Sequence, residues 1–220
     1  VVLLCVDTLR ADAARGMSAV QRLAASGTTF ARAQAAGPWT MPSMATVMTG
    51  LAPWSHGAGS GDGWSYHGLS FETPVLAERF RAAGYDTAGL VHNPVVSEAF
   101  GYRRGFEIWD SATQRTRWSL PRTKKTLEAR PFAAHLLAAA RIWGRRGFFD
   151  APFLAREARE VLAARRPEHP LFLWVHFLDC HFPYRRASGV DGVAFGRRMQ
   201  LERGEAAAYR ADLWWSSEAG

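Results

Sequence analysis

Three apolar runs constrain the fold of this chain more than any other feature. Val1 to Val6 is unbroken by polar residues, which is typical of a strand buried on both faces of a parallel sheet. Tyr85 to Val91 and Pro170 to Phe177 are predicted to be further strands, with helical segments between them. This strand–helix–strand order predicts an α/β fold, in which a mostly parallel sheet is flanked by helices on both faces.

The segments between the apolar runs carry their apolar residues at helical spacing. Met17 to Ala25 has one apolar face and is followed by Gly27, a common stop signal for a helix. Thr28 to Ala35 is predicted as a short strand. Further helices are predicted at Val75–Ala83, Phe132–Trp143, Phe153–Arg165 and Glu205–Ser217.

Length and charge limit the domain organisation and the partners. The chain has 220 residues, enough for one sizeable core, so we expect one α/β domain over 1–220. The formal net charge of +7 favours anionic partners such as ester substrates, nucleic acid or a membrane surface, although an arginine-rich composition alone also explains it. Residues 102–150 are the most basic part and are predicted to form a surface excursion. They contain no recognisable nucleic-acid motif, so no specific nucleic-acid partner is expected.

Cysteine content and hydropathy exclude two other classes of protein. The two cysteines, Cys5 and Cys180, do not make a disulfide framework. Both lie in or beside apolar runs, so we expect buried free thiols. No apolar run is long enough to span a bilayer.

The stretch from Gly37 to Gly50 is the first candidate for catalysis. Its Gly-Pro loop presents the hydroxyl of Thr40, and Pro42 is predicted at the first position of a short helix, Ser43 to Met48. Free N–H groups and the helix dipole favour an anion at such a terminus. The hydroxyl is therefore placed to attack a phosphate or sulfate ester, or it simply caps the helix.

Polar residues at the ends of the predicted strands form the rest of the candidate site. Asp7 follows the first strand, where open α/β sheets bind ligands, and either holds a divalent metal through oxygen or caps the turn. His92 follows the second strand and either contacts an ester oxygen or caps the strand end. His176, Asp179 and His181 lie within a stretch of six residues at the end of the third strand. A self-contained zinc site is an alternative for these three.

Four segments resemble one known family. The run T-x-P-S-x-A-T-x-x-T-G that begins at Thr40, followed by W-S-H-G, resembles the nucleophile segment of the sulfatase-like branch of the alkaline phosphatase superfamily. D-T-L-R-x-D from Asp7 resembles its first metal-binding segment, and H-x-x-D-x-H-x-P-Y from His176 resembles a later active-site segment. The stretch before His92 resembles the one that precedes a substrate-binding lysine. The resemblance covers the first half of the chain and 170–184.

The resemblance implies a metal-dependent hydrolase or transferase of phosphate or sulfate esters. It places Thr40 as the nucleophile and His181 as the group that assists the leaving alcohol, with His92 and His176 as substrate-binding residues. A divalent ion, Ca, Mn or Zn, would be held by Asp7, Thr8 and Thr40. The implied partner is a small anionic ester. Bacterial relatives are commonly exported, periplasmic or membrane-anchored, so membrane association through further segments or the basic excursion is also implied.

Departures from the family pattern shape these expectations. Threonine cannot be oxidised to formylglycine, because its β-carbon carries a methyl group, so no formylglycine is expected and phosphoester chemistry is favoured over sulfate. Met44 stands where an arginine is usual, and the family's Asn near Gly61 is absent.

The family's remaining metal ligands, an Asp-His or Asp-Asn pair, lie downstream of His181, and Asp191 and Asp212 do not supply that pair. We therefore expect an N-terminal fragment, incomplete at the C-terminus, that turns over little or nothing. The alternative is a degenerate, non-catalytic domain that binds anionic ligands or membranes; a nucleic-acid binder ranks third.

Overall fold

The computed structural model describes residues 1–60, 66–111 and 151–181. They lie within one unit of the chain, Val1–Pro183. The strands are β1 (Val2–Val6), β2 (Gly59–Ser60), β3 (Tyr66–His67), β4 (Asp86–Val91), β5 (Ile108–Ser111) and β6 (Leu171–Phe177). The helices are α1 (Ala11–Arg15), α2 (Ser18–Ser26), α3 (Thr40–Thr49), α4 (Pro53–His56), α5 (Leu76–Ala82) and α6 (Ala151–Ala163), with single 3-10 turns at Pro94–Val96 and Glu98–Phe100.

The main sheet of the described residues is parallel throughout. Its strand order is β1-β6-β4-β5, and β6 pairs in parallel with β1 on one side and β4 on the other. Since all carboxyl ends of parallel strands meet at one edge, the residues after β1, β4 and β6 are brought together there. The predicted α/β fold class is confirmed, and β2 and β3 form a separate antiparallel pair.

Alternating residues of the central strands bury their side chains in two different cores. On one face, Phe172 and Trp174 of β6 pack in a cluster with Met41 and Met48 of α3. On the other face, Leu173 and Val175 pack against Leu154 of α6, together with residues of β4. This period of two is the expected pattern for a strand covered on both faces.

Gly89 permits a close contact between β4 and β5. A Cβ atom at Gly89 would lie 2.6 Å from ring atoms of Trp109 on β5. The indole therefore packs directly over the β4 backbone, and any larger residue at position 89 would displace it.

β1 differs from its prediction because it lies at the end of the described sheet. Val2, Leu4 and Val6 are 49%, 56% and 37% exposed, although the unbroken apolar run predicts burial on both faces. These residues share a face with Leu173 and Val175, but α6 contacts only β4 and β6 substantially. The hydrophobic pattern indicates a parallel strand correctly without indicating which faces its neighbours cover.

The helix that contains Thr40 begins earlier than predicted. α3 starts at Thr40 with Trp39 as its N-cap, so Pro42 is the third helical residue rather than the first. Gly50 ends the helix in the left-handed conformation, with φ 72°, which glycine adopts without a steric penalty. Thr40 is therefore part of the rigid helix instead of the preceding loop.

Two other predictions are corrected. Thr28 to Ala35 is irregular rather than a strand. Residues 102–111 do not belong to a surface excursion, because Tyr102, Phe106 and Trp109 are buried and β5 joins the sheet. Residues 112–150 lie outside the described part, as do the predicted helices Phe132–Trp143 and Glu205–Ser217.

The helices and cysteines fit the remaining expectations in part. α2, α5 and α6 match their predicted positions within a few residues. Cys5 and Cys180 are free thiols but half-buried rather than buried, and burial raises the pKa of both. Among the described helices, none has the length and hydropathy to cross a membrane.

Candidate active site

Four elements converge on the carboxylate of Asp7. Asp7 follows β1 and continues the β1–β6 ladder, since its N–H donates to the Phe177 carbonyl at 2.9 Å. Asn93 follows β4, His176 is the second-last residue of β6, and Thr40 is the first residue of α3. The sheet edge and one helix terminus therefore hold these side chains on rigid supports.

Oδ2 of Asp7 accepts three hydrogen bonds. Thr40 Oγ1 donates at 2.9 Å and Asn93 Nδ2 donates at 2.7 Å, while His176 Nε2 lies 3.3 Å away. The other oxygen, Oδ1, accepts from Thr8 Oγ1 at 3.1 Å. These hydrogen bonds fix the orientation of the carboxylate beside the Thr40 hydroxyl.

Asp7 stays ionised despite its burial. Its side chain is 12% exposed, and burial alone would raise its pKa. The hydrogen bond and charge of His176, the hydrogen bond of Thr40 and the charge of His181 outweigh burial and lower the pKa to about 2. Asp7 is therefore a permanent anion near neutral pH and a poor proton acceptor.

Thr8 has a strained backbone. Its φ of 62° is the single positive value among non-glycine residues in the described ranges. A β-branched side chain disfavours this left-handed conformation, and such strain concentrates at functional sites. In this conformation the Thr8 hydroxyl donates to Oδ1 of Asp7.

The first turn of α3 fixes Thr40. The hydroxyl of Tyr102, which is buried, donates to the carbonyl of Met41 at 2.7 Å, and burial raises the Tyr102 pKa far above its ordinary value. Since the Thr40 proton points to Asp7, the lone pairs of its oxygen are left for another partner. The N-terminus of α3 adds a positive dipole end at that position.

The three polar residues of the segment from His176 to His181 make different contacts. His176 contacts Asp7, whereas Asp179 Oδ1 accepts from the Ala151 N–H at 2.8 Å and so caps α6. His181 is close enough for its charge to lower the pKa of Asp7. These positions do not form the alternative zinc site, and no cluster of three or more His, Cys, Asp or Glu suited to a metal occurs in the part described here.

His92 lies on the opposite face of β4 from the Asp7 cluster, and its role in substrate binding stays a prediction. It is 1% exposed, its ring stacks on Phe153 of α6, and its Nε2 lies 3.7 Å from Asp110. Strand alternation explains this placement: Gly89 and Val91 pair with Trp174 and His176 on the Asp7 side, and position 92 points to the opposite face.

Asn93 is the site residue that the sequence prediction missed. Its Oδ1 accepts from the Val95 N–H at 3.0 Å, which orients the amide so that Nδ2 faces Asp7. The period of two along β4 places 89, 91 and 93 on one face and was the available signal. A polar side chain on that face, just beyond the strand, is expected at the binding edge.

The donor set at Asp7 fits part of a divalent-cation site. The Asp7 carboxylate with the hydroxyls of Thr8 and Thr40 offers hard oxygen donors, which suit Ca and Mn. His176 adds an imidazole nitrogen next to them. The described residues supply fewer ligands than a complete site requires, and the other ligands would come from outside these ranges.

Solved structures confirm the fold. BT4656, in complex with its substrate D-glucosamine-2-N,6-O-disulfate, is 16% identical with a TM-score of 0.57, and the match covers 85% of this chain and 35% of that one. A protein of Bacteroides thetaiotaomicron VPI-5482 described as a sulfatase is also 16% identical, with a TM-score of 0.51 and coverage of 87% and 39%. The chain thus spans well under half the length of these proteins.

Sequence comparison gives the family. No curated protein sequence matches the chain, but the family model described as Sulfatase matches residues 1–206. This range includes the β1 turn with Asp7, the α3 terminus with Thr40 and the β6 segment with His176. A hydrolase-type site at the carboxyl edge of a parallel sheet agrees with that match, and the chain belongs to the sulfatase family.

Proposed function

We propose that this domain cleaves or transfers phosphate or sulfate esters by a covalent mechanism in which Thr40 is the nucleophile. The observation that carries the proposal is the 2.9 Å hydrogen bond from Thr40 Oγ1 to Asp7. It orients a hydroxyl at a helix N-terminus, beside a buried carboxylate that remains ionised. This is the arrangement of an activated nucleophile next to an anion site.

The roles of the protein side chains follow from their contacts. Asp7, with a pKa of about 2, orients the Thr40 hydroxyl. It does not remove the Thr40 proton before the attack. Thr40 releases its hydroxyl proton to solvent, and Oγ1 forms a bond to phosphorus or sulfur while the bond from that atom to the alcohol oxygen breaks, which leaves a covalent ester on Thr40. His181 gives a proton to the departing alcohol, and water or an acceptor alcohol then releases the group from Thr40.

A divalent cation belongs to this proposal. Asp7, Thr8 and Thr40 would hold it, with His176 as the neighbouring nitrogen donor. When bound, the cation supplies a lowered pKa for the Thr40 hydroxyl and charge neutralisation for the ester oxygens. Among the candidate ions, the oxygen-rich donor set favours Ca or Mn over Zn.

The substrate is a small anionic ester. The sulfated sugar bound by BT4656 supports such a substrate for a protein of the same fold. Phosphate is favoured here because Thr40 cannot become formylglycine, the group that sulfatases of the usual kind make from Cys or Ser. The basic charge of the chain, +7, would attract substrates of either type.

The test is an assay of the complete gene product with added Ca²⁺, Mn²⁺ or Zn²⁺. Aryl phosphate monoesters, aryl phosphate diesters and an aryl sulfate are compared, with Thr40→Ala alongside. Metal-dependent turnover that disappears in Thr40→Ala would support the proposal, and the preferred ester would identify the substrate class. A folded protein that turns over none of these esters would contradict it and favour a non-catalytic domain that binds anions.

A further inference from the structure

His56 is a buried histidine for which the proposed mechanism has no task. It is the last residue of α4 and is 4% exposed. Its Nδ1 accepts a hydrogen bond from the Ala58 N–H at 3.0 Å. Its Nε2 lies 3.1 Å from the hydroxyl of Thr46 on α3. Both ring nitrogens are therefore engaged, one with the following loop and one with the nucleophile helix.

The bond from Ala58 determines the tautomer of this ring. Since Nδ1 accepts an N–H, the neutral ring must carry its hydrogen on Nε2. Burial lowers the pKa of His56 more than the backbone of Pro42 raises it, so the ring is neutral near neutral pH. The Nε2–H group therefore points to the Thr46 hydroxyl on α3.

The first turn of α3 depends on contacts from outside the helix. Its first backbone bond, from Ser43 N–H to the Trp39 carbonyl, is long at 3.4 Å, and Trp39 provides no side-chain cap. Two buried side chains contact α3 instead: Tyr102 donates to the Met41 carbonyl, and His56 Nε2 contacts the Thr46 hydroxyl. Met41 directly follows Thr40, and Thr46 lies in the middle of the same helix.

We propose that His56 is a positioning residue for the nucleophile, acting through Thr46 to hold α3 in place and thereby to set the position of the Thr40 hydroxyl beside Asp7. This inference rests on the proposed role of Thr40. Gly57, which follows His56 in the left-handed conformation at φ 65°, turns the chain so that the Ala58 N–H reaches the same ring. The His56 ring thus links α4 and the following loop to α3.

Two conservative variants separate the two bonds of the ring. In His56→Gln, the amide nitrogen takes the place of Nε2 and keeps a donor toward α3. In His56→Asn, the amide oxygen takes the place of Nδ1 and keeps only the bond to Ala58. His56→Ala removes both bonds. Leu154→Ala is the matched control, because it opens a cavity in the core on the opposite face of the sheet and leaves α3 untouched.

The experiment compares these variants in the complete protein by two independent measurements. The first is kcat and KM for the aryl ester that the wild type turns over. The second is amide hydrogen exchange in peptides that cover α3, relative to peptides that cover β4. We expect His56→Ala and His56→Asn to lower kcat by about 10- to 100-fold with little change in KM, as expected for a misplaced nucleophile. Exchange should rise selectively in α3.

The pattern among the variants decides the proposal. His56→Gln should recover most of kcat and of the α3 protection, and Leu154→Ala should raise exchange without selectivity for α3 and leave kcat near that of the wild type. The proposal is overturned if Gln and Asn behave alike or if His56→Ala resembles Leu154→Ala. A wild type without turnover would contradict the proposed function alone, and the exchange comparison would still decide the role of His56.

Discussion

At the scale of single residues, Asp7 and its hydrogen-bond donors form the centre of the candidate site. Thr40 and Asn93 donate to Oδ2 within 3 Å, at 2.9 and 2.7 Å, and His176 adds a contact from β6. Each donor comes from a different element. The lowered pKa of Asp7 therefore depends on the assembly of α3, the end of β4, and β6 around its carboxylate.

This dependence predicts a pH effect on stability. The pKa of Asp7 is lowered to about 2 in the folded state, so the stabilisation is present above its ordinary pKa and is lost as pH falls through about 4 to 2. We predict that the free energy of unfolding of the wild type falls by about 2 kcal/mol more than that of Asp7→Asn over this range. Urea unfolding with a chelator present measures both.

The comparison has an internal control. Asp12 and Asp86 also have lowered pKa values, with hydrogen bonds from Arg10 and Arg166 as the first causes. Both residues titrate in wild type and variant alike, so their effects cancel in the difference. Parallel curves for the two proteins would show that Asp7 is not held as an anion by its neighbours.

Thr8 provides a second prediction at this scale. At φ 62° a residue with a Cβ is strained by about 1 kcal/mol or more. Thr8→Gly and Thr8→Ala both remove the hydroxyl bond to Asp7, but only glycine relieves the strain. We predict that the Gly variant is the more stable of the two by about 1 kcal/mol in thermal or urea unfolding, the reverse of the usual order. The usual order, with Ala more stable, would refute this.

At the scale of elements, the close contact between β4 and β5 sustains the sheet beside the site. A Cβ at Gly89 would meet Trp109 at 2.6 Å, and Trp109 packs in turn against Trp174 of β6. We predict that Gly89→Ala lowers the free energy of unfolding by about 1–3 kcal/mol through overpacking. Ala88 faces the other core, so Ala88→Gly serves as the neighbouring control in the same unfolding assay.

A second substitution tests the cause of that effect. Trp109→Leu removes the ring. The loss of stability in the double variant Gly89→Ala/Trp109→Leu should be smaller than the sum of the losses in the two single variants. Additive losses would mean that the contact between residue 89 and the indole is not the source of the destabilisation.

The elements also show how far sequence patterns can predict this site. Apolar runs and their polar ends predicted β1, β4 and β6 and placed Asp7 and His176 at the sheet edge. The same runs do not determine which side of a strand end faces the site, so His92 was chosen where Asn93 is the residue in contact. Alternate side chains of β4 point to opposite faces of the sheet, and the pairing of β4 with β6 decides which of positions 92 and 93 faces the site.

Tertiary contacts account for the other differences. The exposure of β1 depends on where α6 packs, and the start of α3 at Thr40 depends on buried partners such as Tyr102, which is distant in sequence. Residues 102–111 appear basic in sequence, yet their aromatic side chains fill the core. Local composition does not contain this information.

At the scale of the whole molecule, the family match over residues 1–206 and the parallel sheet describe a sulfatase-family domain. Its described residues bring Asp7, Thr40, Asn93 and His176 together at one edge of the sheet. Under the proposed function, Thr40 is the nucleophile of this site and the divalent cation needs further ligands.

The most direct test of the Thr40 proposal is to trap its covalent ester. The complete protein is mixed with an aryl phosphate or aryl sulfate and the divalent cation, quenched in acid, digested and examined by mass spectrometry. We predict that the peptide containing Thr40 gains the mass of one phosphoryl or sulfuryl group, and that Thr40→Val does not. An unmodified Thr40 peptide during active turnover, or the same added mass on another residue, would contradict the proposal.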